Sequence, residues 1–201
     1  MDILKRSFSR FGDGEFACMD GTGPANCDGH EYFPELRKDL LDAFNNQHSN
    51  VTYGVQRICR SRPGTEGMTD GDVFHRRSAN GGMRRVINYL MDNHVVLVGP
   101  EWIMRPPLSL NQDLRIIVPS KNCYLEKERI KDDMKRCWSA GYPLFSLSCS
   151  MLAEVLIHEL TPEMPGAVMI DFGSVWDPYN GVLSRSYHKK RTHKEWWRLI
   201  S

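Results

Sequence analysis

Long apolar runs are missing from this chain. No window of about 18 residues is apolar enough to span a bilayer as a helix, and no apolar stretch near Met1 resembles a secretion signal. Charge of one sign is also missing. The 26 Lys and Arg residues nearly cancel the 25 Asp and Glu residues, so no overall field draws the molecule to nucleic acid or to membranes. Paired cysteines are absent too: the six at 18, 27, 59, 123, 137 and 149 show neither metal-like spacing nor the density of a disulfide framework. Cys18, Cys27 and His30 match no usual zinc spacing. There is no internal repeat and no low-complexity segment. These absences point to a cytoplasmic chain with reduced thiols. Its 201 residues suffice for one domain with a sizeable core and hardly for two.

What is present falls into two rhythms. Residues 31–46 place Phe33, Leu36, Leu40, Leu41 and Phe44 at helical spacing, and Met83, Val86, Ile87, Leu90 and Met91 mark a second amphipathic helix. Between them the stretch 57–72 is polar, glycine-rich and irregular, which favours a functional loop. From residue 94 onward, four short apolar runs end at glycine, proline or small polar residues: 94–102, 114–120, 143–148 and 166–173. Helices are expected at about 126–140 and at 150–160, the latter apolar nearly all round. Such runs read as buried parallel strands. The expected fold is therefore α/β, a Rossmann-like doubly wound and mostly parallel sheet flanked by helices. Residues 1–92 form its N-terminal part, 93–180 its Rossmann-like half and 181–201 a basic tail. In contrast, the segment DILKRSFSR before Gly12 reads as a poor strand.

In such a sheet, ligands lie outside the carboxyl ends of the strands. Those ends carry Glu101, then Ser120, Lys121 and Asn122, then Ser148 and Ser150, then Asp171. Ser120–Asn122 combine a point charge with short hydrogen-bonding groups, and Ser150 opens a helix whose free N–H groups favour anions. Near the start, SRFGDGEF sets Asp13 and Glu15 one residue apart between glycines. Two acids so placed suit Mg2+ or Mn2+, which take hard oxygen ligands and share their shell with phosphates. Arg10 can pair with a phosphate, and Gly12 and Gly14 permit close approach or unusual φ. The bland reading of the same residues is a solvated turn. Arg57, Arg60, Arg62, His75, Arg76 and Arg77 form a basic set able to close over a diphosphate or simply to face solvent. In the tail, five Lys and Arg precede Trp196 and Trp197. That composition suits a docked helix, a peripheral membrane contact or a segment leading into a longer multi-domain protein.

Six stretches in this order, SRFGDGEF, SRP at 61–63, VVLVGPE, LRIIVPSKNCY, SCSMLAEVLIHEL and AVMIDFGSVWDPY, resemble the glycosyltransferases of the GT-D fold. The resemblance covers about residues 7–180. It implies a metal-dependent hexosyl- or deoxyhexosyltransferase that takes a nucleotide-sugar donor, UDP-linked or another nucleoside diphosphate sugar, and a glycan or glycoprotein acceptor. Asp13 and Glu15 then match the acidic pair on Mn2+ or Mg2+. Arg10, Gly12, Gly14, Ser120, Lys121, Asn122 and Ser150 fall on the donor side, and Asp171 matches the acid after the last strand. Asp171, Glu101 and Asp177 are the candidates for a base that deprotonates the acceptor hydroxyl. The chain departs from the family pattern at Ser174, where the family has His, and at Cys149-Ser150-Met151, where it has Gly-Pro-Thr. Two other classes fit the composition. One is a methyltransferase using S-adenosylmethionine, which expects its glycine turn directly after a strong first strand. The other is a nucleotide- or glycan-binding module without turnover.

Overall fold

The computed structural model describes residues 2–104 and 114–200. Seven parallel strands form its sheet: β1 (Ser7–Phe11), β2 (Val51–Val55), β3 (Thr69–Asp70), β4 (Val96–Gly99), β5 (Arg115–Ile117), β6 (Leu144–Leu147) and β7 (Val168–Asp171). Their order across the sheet is β3-β2-β1-β7-β6-β4-β5. The expected parallel α/β sheet is therefore present, and it takes strands from both halves of the chain.

The four strands expected after residue 94 all form, each shorter than its apolar run. The poor strand before Gly12 is a correction. Ser7–Phe11 is an interior strand, paired with β2 through Ser7↔Val51 to Phe11↔Val55 and with β7 through Phe8↔Ile170. Two of its polar residues are matched inside the sheet: Ser7 Oγ accepts the Met169 N–H at 3.0 Å and Arg10 Nε donates to Asp171. A strand thus does lead directly into Gly12, so the weak-strand reading no longer counts against the methyltransferase.

Helices α1 (Asp13–Asp20), α2 (Pro34–Asn45), α5 (Lys127–Ser139) and α6 (Leu152–Leu160) pack on one face of the sheet. Phe16, Leu40, Ile130 and Leu156 meet Phe11, Val98, Phe145 and Met169 there. On the other face, α3 (Val73–Ala79), α4 (Arg84–Asp92), the 3-10 segment Gly173–Asn180 and α7 (His193–Arg198) bury Phe74, Leu90, Trp176 and Trp196 against Phe8, Leu97 and Ile170. Strand residues alternate between the two clusters, as the pleat requires. Helices on opposite faces follow from the chain's reversal of direction across the sheet, because parallel crossovers keep one hand.

The tail is docked. Trp196 is wholly buried, its Nε1 donates to the His188 carbonyl at 3.0 Å, and His193 Nε2 meets the Tyr179 carbonyl at 2.8 Å. Among the described residues no helix is long and apolar enough to cross a membrane.

Candidate functional site

The first and last strands lie side by side, which brings their carboxyl ends together. Arg10 Nε donates to Asp171 Oδ2 at 3.1 Å. The guanidinium is largely buried and Asp171 is almost wholly so. Asp171 Oδ1 also accepts the Gly173 N–H at 2.8 Å, closing the turn over the pair. Gly173 has φ +52°, and a Cβ there would stand 2.7 Å from Arg10 Nη2, so only glycine fits without displacing the arginine.

Two further buried carboxyls, Glu15 and Glu154, act electrostatically on the same guanidinium. Burial alone would lower the Arg10 pKa, but Asp171, Glu15 and Glu154 outweigh it and raise it above the ordinary value. Burial raises the Glu15 carboxyl, against the attraction of Arg10. Glu154, on α6, is 1% exposed with Oε2 unpartnered. Burial, then the charges of Asp171 and Glu15, push it well above its usual range and favour its neutral form. One guanidinium cannot neutralise three buried carboxylates. Glu154 was not singled out from the sequence, although an acid inside the apolar run 150–160 was the available signal.

Asp13 and Glu15 belong to a strand-to-helix junction rather than a solvated turn. Glu15 is the third residue of α1, and its Oε2 accepts the Gly12 N–H at 2.8 Å, capping the helix. Asp13, at the first position, is exposed, with Oδ1 accepting the Gly14 N–H at 3.0 Å and its own N–H donating to Gln56 Oε1 at 3.2 Å. The glycines do not adopt positive φ: Gly12 is extended and Gly14 helical. Close approach does apply at Gly12, where a Cβ would meet the Gln56 side chain at 2.6 Å. The two acids are thus unequal, one on the rim and one turned inward. Among the described residues no group of three or more His, Cys, Asp or Glu side chains converges as a metal site, Cys18, Cys27 and His30 included. The chain can supply part of a hard cation's shell, with the remainder left to phosphate and water oxygens.

The loop around residues 27–30 crosses the same rim. Asn26 Nδ2 donates to Ser150 Oγ at 3.4 Å, and Asn26 Oδ1 accepts from Asp28 and His30 N–H, both at 3.0 Å. Asn122, in the left-handed region at φ +52°, is tied to this loop at both amide atoms. Its Oδ1 accepts the Glu31 N–H at 2.9 Å and its Nδ2 donates to Glu31 Oε1 at 3.0 Å. Lys121 and Ser120 beside it remain exposed. Ser150 is also left-handed, φ +53°, and two first-turn N–H groups of α6 are already engaged, Leu152 with Cys149 O and Ala153 with Ser150 O.

From the far end of the chain, Arg185 Nη1 reaches Asp28 Oδ1 at 2.9 Å while its Nε lies 3.4 Å from Ser174 Oγ. Asp28 and Arg185 are 157 positions apart, and no local signal marks their pairing. The other expected residues scatter. Glu101 is exposed after β4. Asp177 is buried and accepts the Ser184 hydroxyl at 2.6 Å, and burial raises its carboxyl to about 6. The basic set does not converge: Arg62 bonds Asp20 and Arg76 bonds Asp70, while Arg57 and Arg60 face solvent. His75 is turned inward toward Tyr187, and burial followed by the charge of Arg10 lowers it well below its usual range.

No protein-family model matches the chain, and no curated protein matches it. Solved structures do. A glycosyltransferase of the DUF1792 type from Streptococcus sanguinis aligns with TM-score 0.68 over 89% of this chain and 80% of its own, at 18% identity. A selenomethionine-substituted structure of the domain of unknown function 1792 aligns with TM-score 0.65 over 87% of this chain and 74% of its own, at 16% identity. The chain has the DUF1792 fold. The likeness is one of fold, and in this chain Arg10 and Asp171 lie toward the carboxyl ends of the adjacent strands β1 and β7, with Asp13 just beyond β1.

Proposed function

We propose that the chain is a glycosyltransferase that moves a sugar from a nucleotide-sugar donor to a hydroxyl of a glycan or glycoconjugate acceptor. The observation that carries this reading is the placement of Asp13 at the first turn of α1, directly beyond an interior strand, in a fold shared with a glycosyltransferase. Displacement at the anomeric carbon releases a nucleoside diphosphate whose charge grows in the transition state. Asp13 on the rim, with Glu15 beside it, would hold Mn2+ or Mg2+, and that cation would stabilise the leaving diphosphate. Lys121, exposed on the neighbouring loop, supplies a mobile positive charge for the nucleotide side, flanked by Ser120. Arg10 acts beneath them. Ion-paired with Asp171, it fixes the floor of the site rather than reaching for phosphate.

Asp171, Glu101 and Asp177 are the candidates for the base of an inverting reaction. Asp171 is engaged by Arg10 and Gly173 and Asp177 by Ser184, whereas Glu101 is exposed after β4, three strands from β1. The test is a thermal-shift screen against UDP-, GDP-, CMP- and dTDP-sugars, each with Mn2+ and with EDTA, and S-adenosylmethionine alongside. A metal-dependent shift with one nucleotide family supports the transferase and names its donor. A shift with S-adenosylmethionine alone overturns it in favour of methyl transfer, and donor binding without transfer or hydrolysis points to a binding module.

A further inference from the structure

The near-neutral composition conceals an uneven surface. Arg84 and Arg85 open α4, Lys189 and Lys190 lie in the 3-10 turn His188–Lys190, and Lys194 and Arg198 lie on α7; all six are exposed. The fold brings these elements together. A Cβ built on Gly81, just before α4, would stand 3.6 Å from Leu199 at the end of α7. The 3-10 turn is held to α7 by the Trp196 Nε1 bond to the His188 carbonyl and by Arg191 over the Trp196 ring at 5.1 Å. Arg10, Arg62, Arg76 and Arg185 each form an ion pair, whereas among the described residues none of these six does. Glu195, the acid on α7, has its carboxylate engaged by the Thr192 N–H at 2.7 Å and the Thr192 hydroxyl at 2.8 Å.

We infer that this face docks on an anionic membrane surface. Clusters of four to eight Lys and Arg attract lipid phosphates, each residue adding to the affinity within about a Debye length. A local patch on a molecule of net charge +1 suits that short range, and it gives little long-range pull toward a nucleic acid. One aromatic accompanies the charges: Trp197 is half-buried, with Nε1 bonding His193, whereas Leu199 and Ile200 pack partly against the core. The patch is joined to the candidate site through the same tail, since Arg185 grips Asp28 upstream of Lys189. The inference is independent of the transferase reading.

The test is co-sedimentation of the full chain with phosphatidylcholine vesicles, with and without phosphatidylglycerol, across a salt series. Binding is expected only with the anionic lipid and should weaken as salt rises. The variant R84E/R85E, and separately K189E/K190E/K194E, should each lose about tenfold or more of that affinity. Thermal melts confirm that they fold, and K189A/K190A serves as a milder second variant. Equal partition onto both vesicle types overturns the proposal, as does a folded charge-reversal variant that binds like the parent. Salt-sensitive binding to duplex DNA with none to vesicles overturns it in favour of a nucleic-acid face.

Discussion

Arg10 and Asp171 stand 161 residues apart in the chain and 3.1 Å apart in space, because β1 and β7 are neighbours in one parallel sheet. Around that pair, Glu15 and Glu154 add two more buried carboxyls, and Gly173 wraps the turn that closes over it. The resulting charge cluster lies under the rim on which Asp13 is exposed.

Removing Arg10 leaves the carboxylates without their counter-charge. Arg10→Ala should destabilise the protein by about 3–5 kcal/mol at neutral pH. The deficit should shrink as pH falls, because burial raises the Glu15 carboxyl and protonating it removes an unpaired charge. Urea denaturation at neutral and acidic pH checks both statements; a deficit that does not change with pH would mean that lost packing, not charge, is responsible.

The two acids of the GDGE stretch should separate by their effects on stability. Asp13→Ala, at an exposed position, should change the melt by less than about 0.5 kcal/mol and abolish Mn2+-dependent donor binding in calorimetry. Glu15→Ala removes the carboxylate that caps Gly12 and should cost about 1–2 kcal/mol whether or not a metal is present. Undiminished donor binding by Asp13→Ala would remove the metal role.

Asp177 gives a pH signature with a definite sign. Its carboxyl titrates at about 6 in the folded protein against an ordinary value of 3.8. A pKa raised by folding stabilises at low pH, and that contribution is lost as pH rises from about 4 through about 6. Asp177→Asn keeps an acceptor for Ser184 and does not ionise. Relative to the parent, it should therefore gain about 2–3 kcal/mol between pH 4 and pH 7. A constant difference between the two proteins across that range would show that Asp177 is not penalised by burial.

The docked tail should matter for stability before it matters for donor recognition. Trp196→Ala opens a cavity at a wholly buried position and should cost about 3–5 kcal/mol, with donor affinity unchanged at temperatures where the variant is folded. A normal melt accompanied by lost donor binding would place the tail in the site.

Legibility followed burial chemistry. β4, β5, β6 and β7 were readable because interior parallel strands are runs of Val, Ile and Leu between Gly and Pro. β1 was not, because Ser7, Ser9 and Arg10 look polar in sequence. Pairing with distant partners, Ser7 with Met169 and Arg10 with Asp171, makes the burial of those two tolerable. The acids at 13 and 15 were visible as a pair. Their inequality was not, since it depends on Glu15 turning back to cap Gly12 while Asp13 faces water.

By itself the sequence determined the parallel α/β class, the rim residues after each apolar run and a tail suited to docking. These follow from local pattern: apolar runs, glycine and proline stops, and helical spacing. Tertiary structure alone decided that β1 lies beside β7, that Glu154 joins Arg10, and that Asn26, Asp28 and Glu31 cross the rim to meet Ser150, Arg185 and Asn122. The physical reason is that a buried charge or amide is stable only with a partner, and those partners lie from 91 to 161 residues away in sequence.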